Sequence, residues 1–347
     1  MNILMLGNFS DGQTADYIAN SFTELGADIY GIDTRKIPQD VSALRGQEMI
    51  INEIKDIGVE PDFVLVLKGL ELKFATLKFI KDLYPNAVFV NWFFDKFLVE
   101  KSIWETDKFF PVIEFYDFFY CSLKGVADKL KDAGFDNVYY LDEACYPPQH
   151  AEPYMNSFQK KKYGSDVAFV GNIGFFKQHA DRVKMLTRVA LEEFNLKVWG
   201  NVVCDRRLIP EELRECLEDR GVINLEHGKV CNASLVNIGL DQDTTIDMGH
   251  SARAYRVMCA EGCYLSSATK GLDKMFKANG RGEEVTADQE LVLYYGEEDL
   301  VKKLDFLLEH DDIRKSIALN GKNVVIQKHT FAHRCKEMLD MIEEVKK

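Results

Sequence analysis

The strongest constraint on this chain is an alternation of short, wholly apolar runs with amphipathic stretches, broken once and then resumed. Residues 2–8 are apolar and end at Gly7, and residues 12–25 place Ala15, Ile18, Ala19, Phe22 and Leu25 at helical spacing. DIYGIDT at 28–34, DFVLVLKG at 62–69, AVFVNWFFD at 87–95, FYDFFYCS at 115–122 and NVYYLDEA at 137–144 read as further strands. Helices are expected over about 42–57, over LKFATLKFIKDLY and over 124–134, the last stopped by Gly134. A strand that is apolar along its whole length is buried on both faces. Such strands separated by amphipathic helices predict a parallel sheet covered on both sides.

Residues 145–163 break the rhythm with three of the eight prolines and a lysine triplet. This stretch reads as an interdomain linker, and the triplet as a solvated loop or a binding patch. DVAFVGNI at 166–173 restarts the alternation, followed by a helix at 177–194, then LKVWGN, a helix PEELRECLEDR, LVNIGLDQ at 235–242, a helix near 251–261, CYLSSAT and LVLYYG. Two or three helices finish the chain, the last from about Phe331 to Glu344. The expected fold class is α/β, two tandem doubly wound Rossmann-like domains. Their predicted bounds are 1–155 and 165–328, with a C-terminal helix in 329–347. A length of 347 residues suits two cores better than one. Ligands of open α/β sheets bind outside the carboxyl ends of the strands, so an interdomain cleft is the expected site.

A formal charge of −13 disfavours a nucleic-acid partner, which needs a basic face. No apolar run approaches the roughly 18 residues of a membrane span, and MNILMLGNFSDG reads as a buried strand, not a leader. The eight cysteines form no CxxC pair, which suits free thiols in a reducing cytoplasm better than zinc or disulfides. Among the seven histidines no spacing suggests a metal, and no cofactor motif occurs.

Four segments could carry chemistry. Gly171, Asn172 and Gly174 form a turn after an apolar strand, with Lys177 and Arg182 following; this is either a phosphate cradle or a plain turn. Arg253 and Arg256 open a helix for which Ser251 is a plausible N-cap, and two guanidiniums there suit a pyrophosphate unless they simply face solvent. Asp95 closes an apolar strand; desolvated among aromatics it would serve as a general base, and otherwise it caps the next helix. Asp241-Gln242-Asp243 could hold a divalent metal, although Asp-rich loops are usually solvated.

Taken together, VFVNWFFDKF, the stretch from Tyr116 to Pro153, DVAFVGNI with Arg182, and SARAYRVMCAEGCYLSS through HTFAHR resemble the CgeB-like glycosyltransferases of the GT-B superfamily. The resemblance covers nearly the whole chain and is most specific in its C-terminal block. It implies a nucleoside diphosphate sugar as donor substrate, no cofactor and no metal, with the acceptor on the first domain and the C-terminal helix of 329–347 returning toward that domain. Where that family carries a glutamate that binds the donor ribose, this chain has Arg256, and Glu261 is the nearest alternative acceptor. A weaker resemblance is to bacteriophage DNA-base glucosyltransferases. A non-catalytic nucleotide-sugar-binding homologue and a sugar-nucleotide epimerase are the rival readings.

Overall fold

The computed structural model describes residues 1–10, 12–35, 43–95, 112–151, 153–175, 180–192, 194–241 and 243–345. Lys177 and Gln242 lie outside these residues. The chain divides into two compact units, Met1–Glu143 with Phe331–Lys347, and Ala144–Thr330.

The first unit runs β1 (Asn2–Gly7), α1 (Thr14–Glu24), β2 (Asp28–Asp33), α2 (Ala43–Asp56), β3 (Phe63–Leu67), α3 (Phe74–Leu83), β4 (Val88–Phe93), β5 (Phe118–Cys121), α4 (Lys124–Asp132) and β6 (Val138–Tyr140). Its six strands pair in parallel in the order β2-β1-β3-β4-β5-β6. Every residue of β3 is buried, as its unbroken apolar run requires. The C-terminal helix, Phe331–Val345, belongs to this unit and packs on α1. Phe331 anchors it, fully buried, with its ring centroid 6.0 Å from Tyr17 and 6.1 Å from Trp92.

The second unit runs α5 (Pro147–His150), α6 (Ser157–Tyr163), β7 (Val167–Val170), α7 (Ala180–Ala190), β8 (Leu196–Trp199), α8 (Glu211–Glu215), α9 (Asn224–Ala233), β9 (Val236–Gly239), α10 (Arg253–Cys259), β10 (Tyr264–Ser267), α11 (Leu272–Met275), β11 (Val292–Tyr294), α12 (Glu297–Glu309) and α13 (Asp311–Lys328). Its sheet is parallel in the order β11-β10-β9-β7-β8. The sequence places the change of domain within 155–165, whereas the contacts place it at Ala144. The reason is that the proline-bearing stretch folds: α5 and α6 pack on α9, and an Asn156–Gln159 capping box starts α6. The lysine triplet forms the last turn of α6, where positive charge complements the helix dipole.

Each sheet has one switch point, where the chain leaves a strand towards one neighbour and later returns on the other side. In the first sheet it lies between β1 and β3, in the second between β7 and β9. Loops diverge there and leave a crevice at the carboxyl ends of the strands. On the other side of β7 the turns after β7 and β8 nearly touch. A Cβ on Gly200 would lie 2.0 Å from the Gly171 carbonyl oxygen and 2.6 Å from its carbon. Both obstacles are backbone and cannot rotate away. Gly200→Ala is therefore expected to destabilise the second unit by about 2–3 kcal/mol, as overpacking does, and to lower its melting temperature by roughly 4–10 °C. An unchanged melting curve would mean that the two turns have slack.

Candidate active site

In the second unit the groups that gather at the switch point are cationic. Arg182, on α7, is 8% exposed. Its Nε donates to the Leu240 carbonyl at 3.3 Å and its Nη1 to the Asn172 carbonyl at 2.9 Å, so one guanidinium ties the end of β9 to the turn after β7. Burial, and then the charge of Arg253, push its pKa down to about 10, opposed by Asp241; it remains a cation at neutral pH. Arg253, the first residue of α10, donates from Nε to the Val170 carbonyl at 2.8 Å and from Nη1 to Ser251 Oγ at 3.3 Å. The two guanidiniums lie 5.0 and 5.8 Å from the ring centroid of fully buried Phe169, which holds them by cation–π attraction.

Gly171 makes room for this pairing. A Cβ there would sit 2.8 Å from Arg253 Nη2 and 3.0 Å from Phe169 Cζ. Asn172 accepts the Asn201 amide on Oδ1 at 3.2 Å, and Gly174 faces Val203 at a distance a Cβ would close to 2.9 Å. The amides of Gly171 and Ile173 donate to the Trp199 and Asn201 carbonyls. Those two N–H groups are therefore spent within the fold, which corrects the idea that the whole turn cradles a phosphate through its backbone.

The compensating carboxylate is Asp241, two residues past the end of β9. Its Oδ1 accepts the Ser251 amide and its Oδ2 the Thr269 hydroxyl, each at 3.2 Å. Its role here was not read from the sequence, where it figured only as half of an Asp pair for a metal. The signal that could have found it is an acid directly after an apolar strand. Asp243 instead closes its own turn, accepting the Thr245 amide at 3.0 Å. Among the described residues no three His, Cys, Asp or Glu side chains converge as a metal site requires.

One helix-end expectation needs correction. Ser251 is not the N-cap of α10: Ala252 holds that position, with no side-chain cap, and the Ser251 hydroxyl serves Arg253. Glu261 lies beyond the other end of that helix, at φ 58°, and pairs with Lys322 at 2.8 Å. Arg256 lies one turn beyond Arg253, half-buried like it, so neither is a solvent-facing helix arginine. Its charge acts on two buried imidazoles: burial, and then Arg256, hold His227 down to about 3 and His150 to about 2, so both stay neutral. Consistent with that, His150 Nδ1 accepts the Tyr146 amide at 2.9 Å.

The first unit carries its own crevice, of about 110 Å³, at its switch point. Asn8, Gln13 and Thr14 line it from the β1 side, Lys68 and Glu71 from the β3 side, and Phe94 beyond β4. Arg35 Nε pairs with Glu71 at 2.7 Å. Lys68 takes φ 60°, a strained value for a residue with a Cβ, and its Nζ meets Asp95 Oδ2 at 2.7 Å. Asp95 does lie just past the carboxyl end of β4, but its side chain is 56% exposed. The side chain is therefore not enclosed among aromatics: Trp92 and Phe93 point into the core, and the chain has turned out of the sheet before Asp95.

With this geometry in hand, residues 180–340 match a family model described as glycosyl transferase-like. None of the curated proteins compared with the chain matches it. Among solved structures, a glycosyltransferase from Rickettsia africae ESF-5 aligns with a TM-score of 0.67 at 12% identity, over 100% of this chain and 98% of that one. The catalytic domain of starch synthase IV from Arabidopsis thaliana, bound to ADP and acarbose, aligns with a TM-score of 0.67 at 8% identity, over 99% and 98%. The S. aureus MnaA–UDP structure aligns with a TM-score of 0.55 at 12% identity, over 99% and 96%. Identities this low speak for the fold. Two parallel-sheet Rossmann-like units of this kind make the GT-B architecture. With the family match over its second half, the chain is a glycosyltransferase-type enzyme. No helix among the described residues is long and apolar enough to cross a membrane.

Proposed function

We propose that the chain transfers a sugar from a nucleoside diphosphate sugar to an acceptor held by its first unit, in the manner of the CgeB-like enzymes. The observation that carries this reading is the pair of guanidiniums, Arg182 and Arg253, fixed by backbone carbonyls at the switch point of the second sheet, with the charge of Asp241 acting on Arg182. Guanidinium binds phosphate oxygens bidentately, and a diphosphate leaving group gains negative charge as the glycosidic bond breaks. Two fixed cations can neutralise it without a metal ion. Neighbours of the same fold bind UDP and ADP, which supports a nucleotide at this place. Arg256, one turn along α10, adds a further cation where a ribose-binding acid would be expected, and so argues for a donor with more anionic character.

In the first unit Asp95 takes the acceptor proton, and the polar crevice beside it seats the acceptor. The eight cysteines, all free thiols, suit a reducing cytoplasm. The test is a thermal-shift screen against a panel of nucleoside diphosphate sugars, followed by donor turnover with and without candidate acceptors. A ligand that binds only the native state raises its melting temperature. Stabilisation by a nucleotide sugar with acceptor-dependent turnover supports transfer. Acceptor-independent isomerisation would make the protein an epimerase, stabilisation without turnover a binding protein, and no stabilisation by any donor would sink the proposal.

A further inference from the structure

The sequence holds one basic feature that sugar transfer does not use, the lysine triplet, and the structure shows what surrounds it. Tyr154 is 91% exposed and Phe158 75% exposed, the two most exposed aromatic side chains among the described residues. Phe158 is the second residue of α6, and Lys161 and Lys162 follow it at i+3 and i+4, on its own face of the helix. The Asn156–Gln159 capping box pins that first turn through two hydrogen bonds, 2.9 and 3.2 Å long. The inward side of the segment is already occupied by Met155 and Tyr163, so Phe158 has no core position to retreat into.

α9 extends the patch. Tyr163 Oη donates to Glu226 at 2.6 Å, and Lys229 lies 6.0 Å from the Tyr163 ring, which fixes the two helices side by side. Ile223 and Leu225, at the start of α9, are 49% and 43% exposed. Residues 154–163 and 220–229 together carry five Lys or Arg and a single acid, Glu226, in a chain of net charge −13. Even that acid is neutralised, because Arg220 grips both its oxygens at 2.9 and 2.8 Å. The local charge is opposite to that of the whole molecule, and it is mixed with exposed rings and branched aliphatics.

We propose that this α6–α9 face docks the protein on an anionic lipid surface. Lysines draw such a face to acidic headgroups over a Debye length, and aromatic and aliphatic side chains then settle at the boundary between headgroups and acyl chains. The aliphatics decide between a membrane and a nucleic acid. Rings and cations would suit a single strand, but Ile223 and Leu225 offer nothing for a base to stack on, whereas they gain by leaving water for the lipid boundary.

The test is cosedimentation of the full chain with vesicles of phosphatidylcholine alone and of phosphatidylcholine mixed with phosphatidylglycerol. Binding to the mixed vesicles only, weakening with added salt, is the expected result. Replacing Lys160, Lys161 and Lys162 together by Gln, and separately Tyr154 and Phe158 together by Ser, should each weaken it by about tenfold or more. All these side chains are on the surface, so both variants should keep the parent melting temperature and its response to donor nucleotide. Absence of vesicle binding, equal binding to both compositions, or unaltered binding in both variants overturns the proposal. Tighter binding to a single-stranded oligonucleotide than to either vesicle overturns it in favour of a nucleic acid.

Discussion

Asp95→Asn should leave donor affinity nearly unchanged and cut turnover by about 10²–10⁴-fold, the usual worth of a general base. The amide keeps the shape of the side chain and a contact for Lys68, but it cannot take a proton. Two features of the structure motivate the test. Asp95 follows the carboxyl end of β4, on the edge of the sheet where ligands bind, and its partner Lys68 lines the crevice at the first switch point. The measurement is steady-state transfer with an acceptor found in the screen, beside calorimetric titration of the donor nucleotide. Full turnover in Asp95→Asn would remove Asp95 from the chemistry. A matching loss of donor affinity would show that the carboxylate acts on the donor instead.

Arg253→Ala and Arg182→Ala should each weaken nucleoside diphosphate binding by about 10- to 150-fold, equivalent to about 1.5–3 kcal/mol for hydrogen bonds to a charged group. The two should differ in a second readout. Arg182 is nearly buried and joins two carbonyls from separate loops, so its removal leaves both without that donor and should also lower the melting temperature. Arg253 is half-buried, and its loss should fall mainly on affinity. Unchanged calorimetric affinity in both variants would place the diphosphate elsewhere. Arg253→Lys separates charge from geometry: an ammonium keeps the charge but cannot reach the Val170 carbonyl, the Ser251 hydroxyl and a phosphate at once.

Much of this architecture was legible in the sequence, because secondary structure is written in local periodicity. The all-apolar runs became β1, β3, β4, β7 and β9, and the helix expected over about 42–57 became Ala43–Asp56. Gly134 does follow α4 at φ 99°, as a helix stop of that kind requires. The arginines were legible too, as cations near strand ends. Their partners were not. Arg182 meets the Leu240 carbonyl across 58 residues of sequence and Arg253 meets Val170 across 83. No spacing rule reports contacts of that range.

The sequence by itself determined that this chain makes parallel sheets, because unbroken apolar strands separated by amphipathic helices can be buried only with helices on both faces. It also placed Asp95, Arg182 and Arg253 at or near element ends, where a doubly wound fold keeps its ligands. Only the tertiary structure decided which way those side chains turn and what they meet. It sent Glu261 beyond the far end of α10 to Lys322, gave the Ser251 hydroxyl to Arg253, and left Asp95 in water beside Lys68. It also brought the charge of Asp241 to bear on Arg182. The physical reason is that a strand or a helix is fixed by its neighbours in sequence. The charge balance of a site is fixed by groups that folding brings together from separate loops, and their energies depend on burial and distance, which the order of residues does not state.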